Sequence, residues 1–219
     1  MKIGKLIALE GPDTAGKTTL ITKLKTVLPT IYPNETFLFT REPGNLLHCE
    51  YNQSEIIRNK LLTDKTLSPL EQAELFARAR YYHIIDIIEE LKKGNNVITD
   101  RFLFSSIIYQ GLDLGFKKIL DLNSDVLNLL EEENIEINNI VLQINHDVYK
   151  NRMGDRESKD AMEDVEEKKV IERITYHNIV RRINEDLDFK LGNIYTIDAT
   201  RTQADSCIEA LNHINKIIR

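Results

Sequence analysis

The sequence predicts a three-layer α/β/α fold in which five parallel strands are covered by helices on both faces, and three observations predict it. Five short apolar runs recur along the chain: 5–10, 36–40, 96–100, 139–144 and 193–198. Each is followed by a stretch whose apolar residues fall at helical spacing, the alternation that builds βαβ units with right-handed crossovers. The first run leads into Gly11-Pro12-Asp13-Thr14-Ala15-Gly16-Lys17-Thr18, which satisfies G-x-x-x-x-G-K-[ST] at every fixed position and opens a helix.

Each element has its own warrant. Leu20, Ile21 and Leu24 give the first helix its apolar face, and Pro29 and Pro33 are expected to break it. The second strand ends in Arg41-Glu42-Pro43-Gly44. Ile56, Ile57, Leu61 and Leu62 place a short helix over 53–62. Ser68 as N-cap and Pro69 at the first helical position start a long helix, which Lys92-Lys93-Gly94 closes. After the third strand, 105–109 is expected to be helical, 111–115 a turn and 117–132 one helix. Beyond the fourth strand, 149–167 is too dense in charge to suggest a packed element, which makes it a candidate mobile lid. A long helix through Leu187, the fifth strand and a helix over 203–218 complete a single domain spanning 1–219.

Composition bounds the function. A net charge of -6 argues against a polyanion such as a nucleic acid as main partner, so any phosphate site must draw on a local cluster of Arg and Lys. Cys49 and Cys207 lie far apart and suit packing in a reduced compartment. No run approaches the length a membrane span needs, and the N-terminal strand does not read as a signal peptide, so the expectation is a cytoplasmic protein.

The glycine loop carries the most specific chemistry. Its two glycines let the backbone curl so that N–H groups point at a polyphosphate, beside the positive end of the following helix. Gly11, Pro12, Asp13, Thr14, Ala15, Gly16, Lys17, Thr18 and Thr19 form the nucleotide-binding set, with Lys17 reaching the β/γ-phosphates and the Thr18 hydroxyl on Mg²⁺. Parallel sheets bind ligands beyond the carboxyl ends of their strands, where further polar residues gather. There, Arg41 offers a planar fork suited to phosphate, or a surface pair with Glu42. Asp100 is placed near the metal, and Arg101 faces a second phosphate; an isolated strand-end ion pair reads equally well. Phe76 and Arg80, four apart on one helix face, could stack on a base and bond its carbonyl, although spacing alone favours a core Phe. Arg152 and Arg156, flanking Gly154, could bring positive charge to a transferred phosphoryl group when a lid closes.

In chain order these residues resemble the thymidylate kinase family. The resemblance is carried by Glu10-Gly11, by Phe39-Thr40-Arg41-Glu42-Pro43-Gly44, by Ile57 to Leu62 and by Glu74 to Arg80. It continues through Asp100-Arg101 with Ser105 and Tyr109-Gln110-Gly111, and ends in Thr196 to Thr200. It implies ATP and dTMP as substrates, Mg²⁺ as cofactor, a homodimer, and roles residue by residue. Asp13 would hold the acceptor sugar and neighbouring arginines. Arg41 and Arg101 would bind the dTMP phosphate, Phe76 would stack on thymine and Arg80 would contact its carbonyl edge. Ser105, Tyr109 and Gln110 would line the base and sugar pocket. Lys17, Asp13, Arg101 and a lid arginine, Arg152 or Arg156, form the implied catalytic set. Asn45-Leu46 departs from the family's usual Gly-Thr, and Thr14 stands where some members carry Arg, which leaves that charge to the lid and favours Arg156. Two rival readings stay open: a deoxynucleoside-monophosphate kinase of broader specificity, and a P-loop switch or ATPase.

Overall fold

The computed structural model describes residues 2–46, 53–154, 167–186 and 191–219. The first half runs β1 (Leu6–Glu10), α1 (Lys17–Ile31), β2 (Phe37–Arg41), α2 (Gln53–Thr63), α3 (Pro69–Lys92), β3 (Asn96–Asp100), α4 (Leu103–Tyr109) and α5 (Gly111–Leu114). There follow α6 (Phe116–Leu122), α7 (Ser124–Glu132), β4 (Ile137–Gln143), α8 (His146–Gly154), α9 (Glu167–Asn178), α10 (Val180–Asp186), β5 (Asn193–Asp198) and α11 (Gln203–Ile218). The strands form one sheet in the order β2-β3-β1-β4-β5, every pair parallel.

Successive side chains of a strand point to opposite faces, and here both faces are dry. Leu6, Ala8, Val97, Ile137 and Val141 pack on one side against α3, α4 and α7. Ile7, Leu9, Ile98, Ile140, Leu142 and Ile197 pack on the other against α1 and α11. The central strand β1 is wholly buried, so the loop that leaves its carboxyl end sits between the ends of β3 and β4.

Four local expectations are corrected. Pro29 does not end α1, which runs on to Ile31. A proline removes one N–H, so it frees only the Lys25 carbonyl; Lys25 and Pro29 are both exposed to water, while buried Leu28 anchors the last turn. The turn expected over 111–115 is the short helix α5. The single helix expected over 117–132 is α6 and α7, parted at Asn123, whose buried side chain donates to Ile119 O (2.8 Å) and accepts from Arg80 Nη1 (2.6 Å). The long helix before β5 is likewise α9 and α10; Gln143 Nε2 donates to the His177 and Asn178 carbonyls near the break, at 3.3 and 2.9 Å.

The segment read as unpacked, 149–167, begins inside α8, with the Asn145 side chain accepting from Val148 N at 2.9 Å as a cap. Residues 155–166 lie outside the described residues. Helix α3 starts as its sequence predicts: the Ser68 side chain accepts from Glu71 N and the Glu71 carboxylate accepts from Ser68 N, a complete capping box.

Asn123 thus joins a helix break to a buried guanidinium. Asn123→Ala removes a hydrogen bond to a charged group, and is expected to lower the unfolding free energy by about 1.5–3 kcal/mol in chemical denaturation.

Candidate active site

The phosphate loop is shaped by steric need. Gly11 has φ 146°, and a Cβ there would lie 2.7 Å from Leu142 O; Gly16, at φ 96°, caps α1. Buried Lys17 folds back along the loop, its Nζ donating to Gly11 O and Pro12 O at 2.9 Å each. Burial, and then the nearby Arg101, lower its pKa to about 8, against the pull of Asp100, Asp13 and Glu10. Thr18 is exposed in the first turn of α1.

Arg101 follows β3 with φ 68°, a left-handed conformation that costs a non-glycine residue about 1–3 kcal/mol. Its side chain crosses to the phosphate loop, ion-pairs with Asp13 and donates to Gly11 O and Ser105 Oγ, both at 3.2 Å. Tyr109 donates its hydroxyl to the other Asp13 oxygen at 3.1 Å. Burial opposes charge on Asp13, yet Arg101, Lys17 and the Tyr109 hydroxyl outweigh it and hold the carboxyl at about 2. Beneath them, fully buried Glu10 accepts from Phe102 N (2.8 Å) and Ser105 Oγ (2.6 Å); burial pushes its pKa up, opposed by Ser105, Arg101, Phe102 and Lys17.

A cleft of about 840 Å³ opens beside this cluster. All eight residues assigned to the acceptor line it: Asp13, Arg41, Phe76, Arg80, Arg101, Ser105, Tyr109 and Gln110. Asp100 lines it too, with a buried Oδ1 that has no hydrogen-bond partner among the described residues, and Gln110 Oε1 is in the same position. Arg41 is exposed, and Phe76 is half-buried, packed on one side against the Ile57, Leu61 and Ala79 cluster while it lines the cleft. The Ser105 hydroxyl is committed inward to Glu10.

Arg80 is only 2% exposed and is fixed on every side. Nε donates to Glu42 Oε2 (2.7 Å), Nη1 to Asn123, and Nη2 to Phe102 O (3.3 Å) and Ser106 Oγ (2.9 Å). A guanidinium has five N–H groups, so these four bonds leave one on Nη1 without a partner among the described residues.

On the other side of the loop, a cleft of about 590 Å³ lies between Thr14, Gly16 and Thr19 and the segment after β5, Ala199, Arg201 and Gln203. Arg152 bridges the two walls, donating to Thr14 O (3.1 Å) and Ala199 O (2.8 Å). Arg156 lies outside the described residues.

Residues 9–207 match the family described as Thymidylate kinase. The chain belongs to that family. The thymidylate kinase of Oenococcus oeni is 32% identical over 226 aligned positions, covering 100% of this chain and 99% of that protein. That of Limosilactobacillus reuteri is 32% identical over 206 positions, 78% of this chain and 93% of the relative. The thymidylate kinase of Mycoplasma mobile is 44% identical over 121 positions, and there the chain spans little more than half of the relative, 56%.

In this member of the thymidylate kinase family, several residues around the site had no role in the sequence reading. Arg58 lines the acceptor cleft, its Nη1 donating to Pro43 O at 2.7 Å; it falls within the Ile57 to Leu62 stretch that carries the family resemblance, which gave it no role of its own. Arg173 on α9 lies 4.3 Å over the Tyr109 ring, next to buried His177, whose pKa burial lowers to about 3. Neither follows a recognisable motif. The segment 199–203 does follow a strand end, and the rule that ligands gather there was the signal available.

Nucleotide binding has a definite pH signature here. Bound phosphates favour the charged lysine, so the pKa of Lys17 rises above its free value of about 8. Affinity is therefore full below that pH and falls above it, by up to about tenfold per unit until the bound-state pKa is reached. Calorimetry of ATP binding should register proton uptake at pH 8.5–9 in wild type and little in Lys17→Arg, whose guanidinium stays charged.

Proposed function

We infer that this chain transfers the γ-phosphoryl group of ATP to the phosphate of dTMP, giving ADP and dTDP. The observation that carries the reading is the acceptor cleft. It combines a guanidinium pair for a phosphate, Arg41 and Arg101, with a flat ring, Phe76, and a rigid donor, Arg80. A P-loop switch has no use for such a second pocket. Membership of the thymidylate kinase family supports the same substrates.

The acceptor phosphate is already an oxyanion at neutral pH, so transfer needs positioning and positive charge more than a general base. Asp13 stays ionised and holds Arg101 over the loop, where the guanidinium can meet the dTMP phosphate. Lys17 exchanges its two loop carbonyls for the β/γ-phosphates of ATP. The cleft flanked by Arg152 takes the purine side of ATP, with that side chain bracing its walls, and Arg156 is the lid arginine we assign to the phosphates.

Mg²⁺ fits the residues present: Thr18 offers an exposed hydroxyl, and the orphaned Oδ1 of Asp100 offers an acceptor, directly or through water. The ion would neutralise phosphate charge. We read the chain as one kinase domain with a lid at about 149–167, acting in the cytoplasm as a homodimer. Exposed Tyr81 and Ile85, one turn apart on α3, are the contact we favour for that dimer.

Lys17→Ala should nearly abolish ADP formation while far-UV dichroism and thermal melting stay close to wild type. Near-normal turnover in the folded variant would refute the assignment.

Specificity is tested by kcat/KM across dTMP, dUMP, dCMP and dGMP. The free N–H of Arg80 meets a carbonyl on thymine but an amino group on cytosine, so dCMP should be rejected strongly. dUMP lacks only a methyl and should lose about 1–3 kcal/mol. Equal use of dTMP and dGMP would point instead to a broad-specificity enzyme.

A further inference from the structure

Behind Arg80 lies a second layer of buried polar groups that nothing in the phosphoryl-transfer chemistry uses. Glu42 holds Arg80 through Oε2, and both side chains are almost fully buried, at 3% and 2% exposure. The other oxygen, Oε1, has no hydrogen-bond partner among the described residues. Facing it at 3.6 Å is Nδ1 of His83, which is 0% exposed and equally without a partner. The second ring nitrogen, Nε2, lies 2.8 Å from Thr40 Oγ1, which is itself 3.1 Å from Asn45 O.

The directions of these contacts locate a proton. The Thr40 hydroxyl either donates to Asn45 O and accepts from Nε2, or donates to Nε2; both arrangements keep that nitrogen satisfied. Nδ1 has no such freedom. A bare Nδ1 would set a lone pair against a carboxylate oxygen in the protein interior, two buried acceptors face to face. A proton on Nδ1 turns the same contact into an attraction. At 3.6 Å it is an electrostatic contact more than a full hydrogen bond, and burial from bulk solvent strengthens it.

We propose that His83 is a positioning residue for base recognition: it carries a proton on Nδ1 and directs it at Glu42, which thereby holds the Arg80 guanidinium with its one free N–H toward the acceptor base. The inference rests on Arg80 as the donor to the thymine carbonyl. Its logic is rotational. Asn123, Phe102 O and Ser106 grip the two Nη atoms, while Glu42 alone fixes Nε. A carboxylate free to turn would let the fork tilt, and the remaining N–H would lose its aim. A tilted fork also discriminates less between a carbonyl and an amino group, because mismatch is penalised only where the donor is held in place.

Two variants separate this role from mere packing. The amide nitrogen of Asn falls near the position of Nδ1, whereas that of Gln falls near Nε2. His83→Asn therefore keeps a donor for Glu42, and His83→Gln keeps one only for Thr40. The dTMP-to-dCMP ratio of kcat/KM should drop about tenfold in His83→Gln, the upper scale of one ordinary net intramolecular contact, and stay within about threefold of wild type in His83→Asn. A purely structural role would lower melting temperature and both kcat/KM values together, leaving the ratio unchanged.

Histidine-ring ¹⁵N spectra of the wild-type enzyme, with His83 identified by its absence in His83→Asn, report the proton directly and do not depend on the Gln variant folding. A protonated Nδ1 with the ratio collapsing only in His83→Gln is the expected result. A bare Nδ1, or an unchanged ratio in folded His83→Gln, overturns the proposal. Equal use of dTMP and dCMP by wild type overturns the reading of Arg80 itself, and the two failures are thereby distinguished.

Discussion

The ion pair between Asp13 and Arg101 is the contact on which the site depends. It joins the phosphate loop, which leaves β1, to the end of β3, and so fixes the wall between the two clefts. Arg101 reaches Asp13 only because its backbone turns left-handed at the strand end, a conformation disfavoured for any residue with a Cβ. The interactions of its side chain offset that cost: the ion pair, the Gly11 carbonyl and the Ser105 hydroxyl, with Glu10 buried beneath. Burial alone would raise the pKa of a carboxyl at Asp13, so its low value is a property of the cluster and not of the residue.

The acceptor side is built by the opposite strategy. There the charges of Glu42 and Arg80 are withdrawn from solvent almost completely, with His83 packed beside them. A buried ion pair is a weak source of net stability, because desolvation consumes most of its attraction, but breaking one leaves an uncompensated charge. What such a pair can provide is a guanidinium with almost no orientational freedom. Arg80 has four of its five N–H groups spoken for, and a donor held that firmly can reject a wrong base as well as accept a right one. The same rigidity makes Arg80→Ala a poor probe of specificity alone, since it would also leave Glu42 charged and unpaired in the interior.

Elements whose formation rests on local interactions were legible in the sequence. β3, β5 and α11 match their expected bounds, and α3 starts at the N-cap read for it. Two of the misreadings share one cause. Whether a helix breaks at Asn123 or Ile179 depends on whether distant groups satisfy the backbone or claim the side chain, whereas α1 passes Pro29 because the one carbonyl it frees lies on the solvent side. Asn123 reads as an ordinary helix-interior residue until Arg80 is found against it, and Gln143, which caps the carbonyls before Ile179, comes from a different strand.

For the site, the sequence by itself determined the phosphate loop, because eight contiguous residues dictate its backbone path without help from the rest of the chain. It also supplied, through their order along the chain, a set of residues that the fold brings to one cleft. Tertiary structure alone decided what each of them does. Packing made Asp13 an ionised anchor, turned the Ser105 hydroxyl inward to Glu10, fixed Arg152 to the Thr14 and Ala199 carbonyls, and left Arg80 a single free donor. The reason is physical: a residue's type fixes which protons and lone pairs it has, but only the neighbours brought by the fold decide which of them remain unpaired.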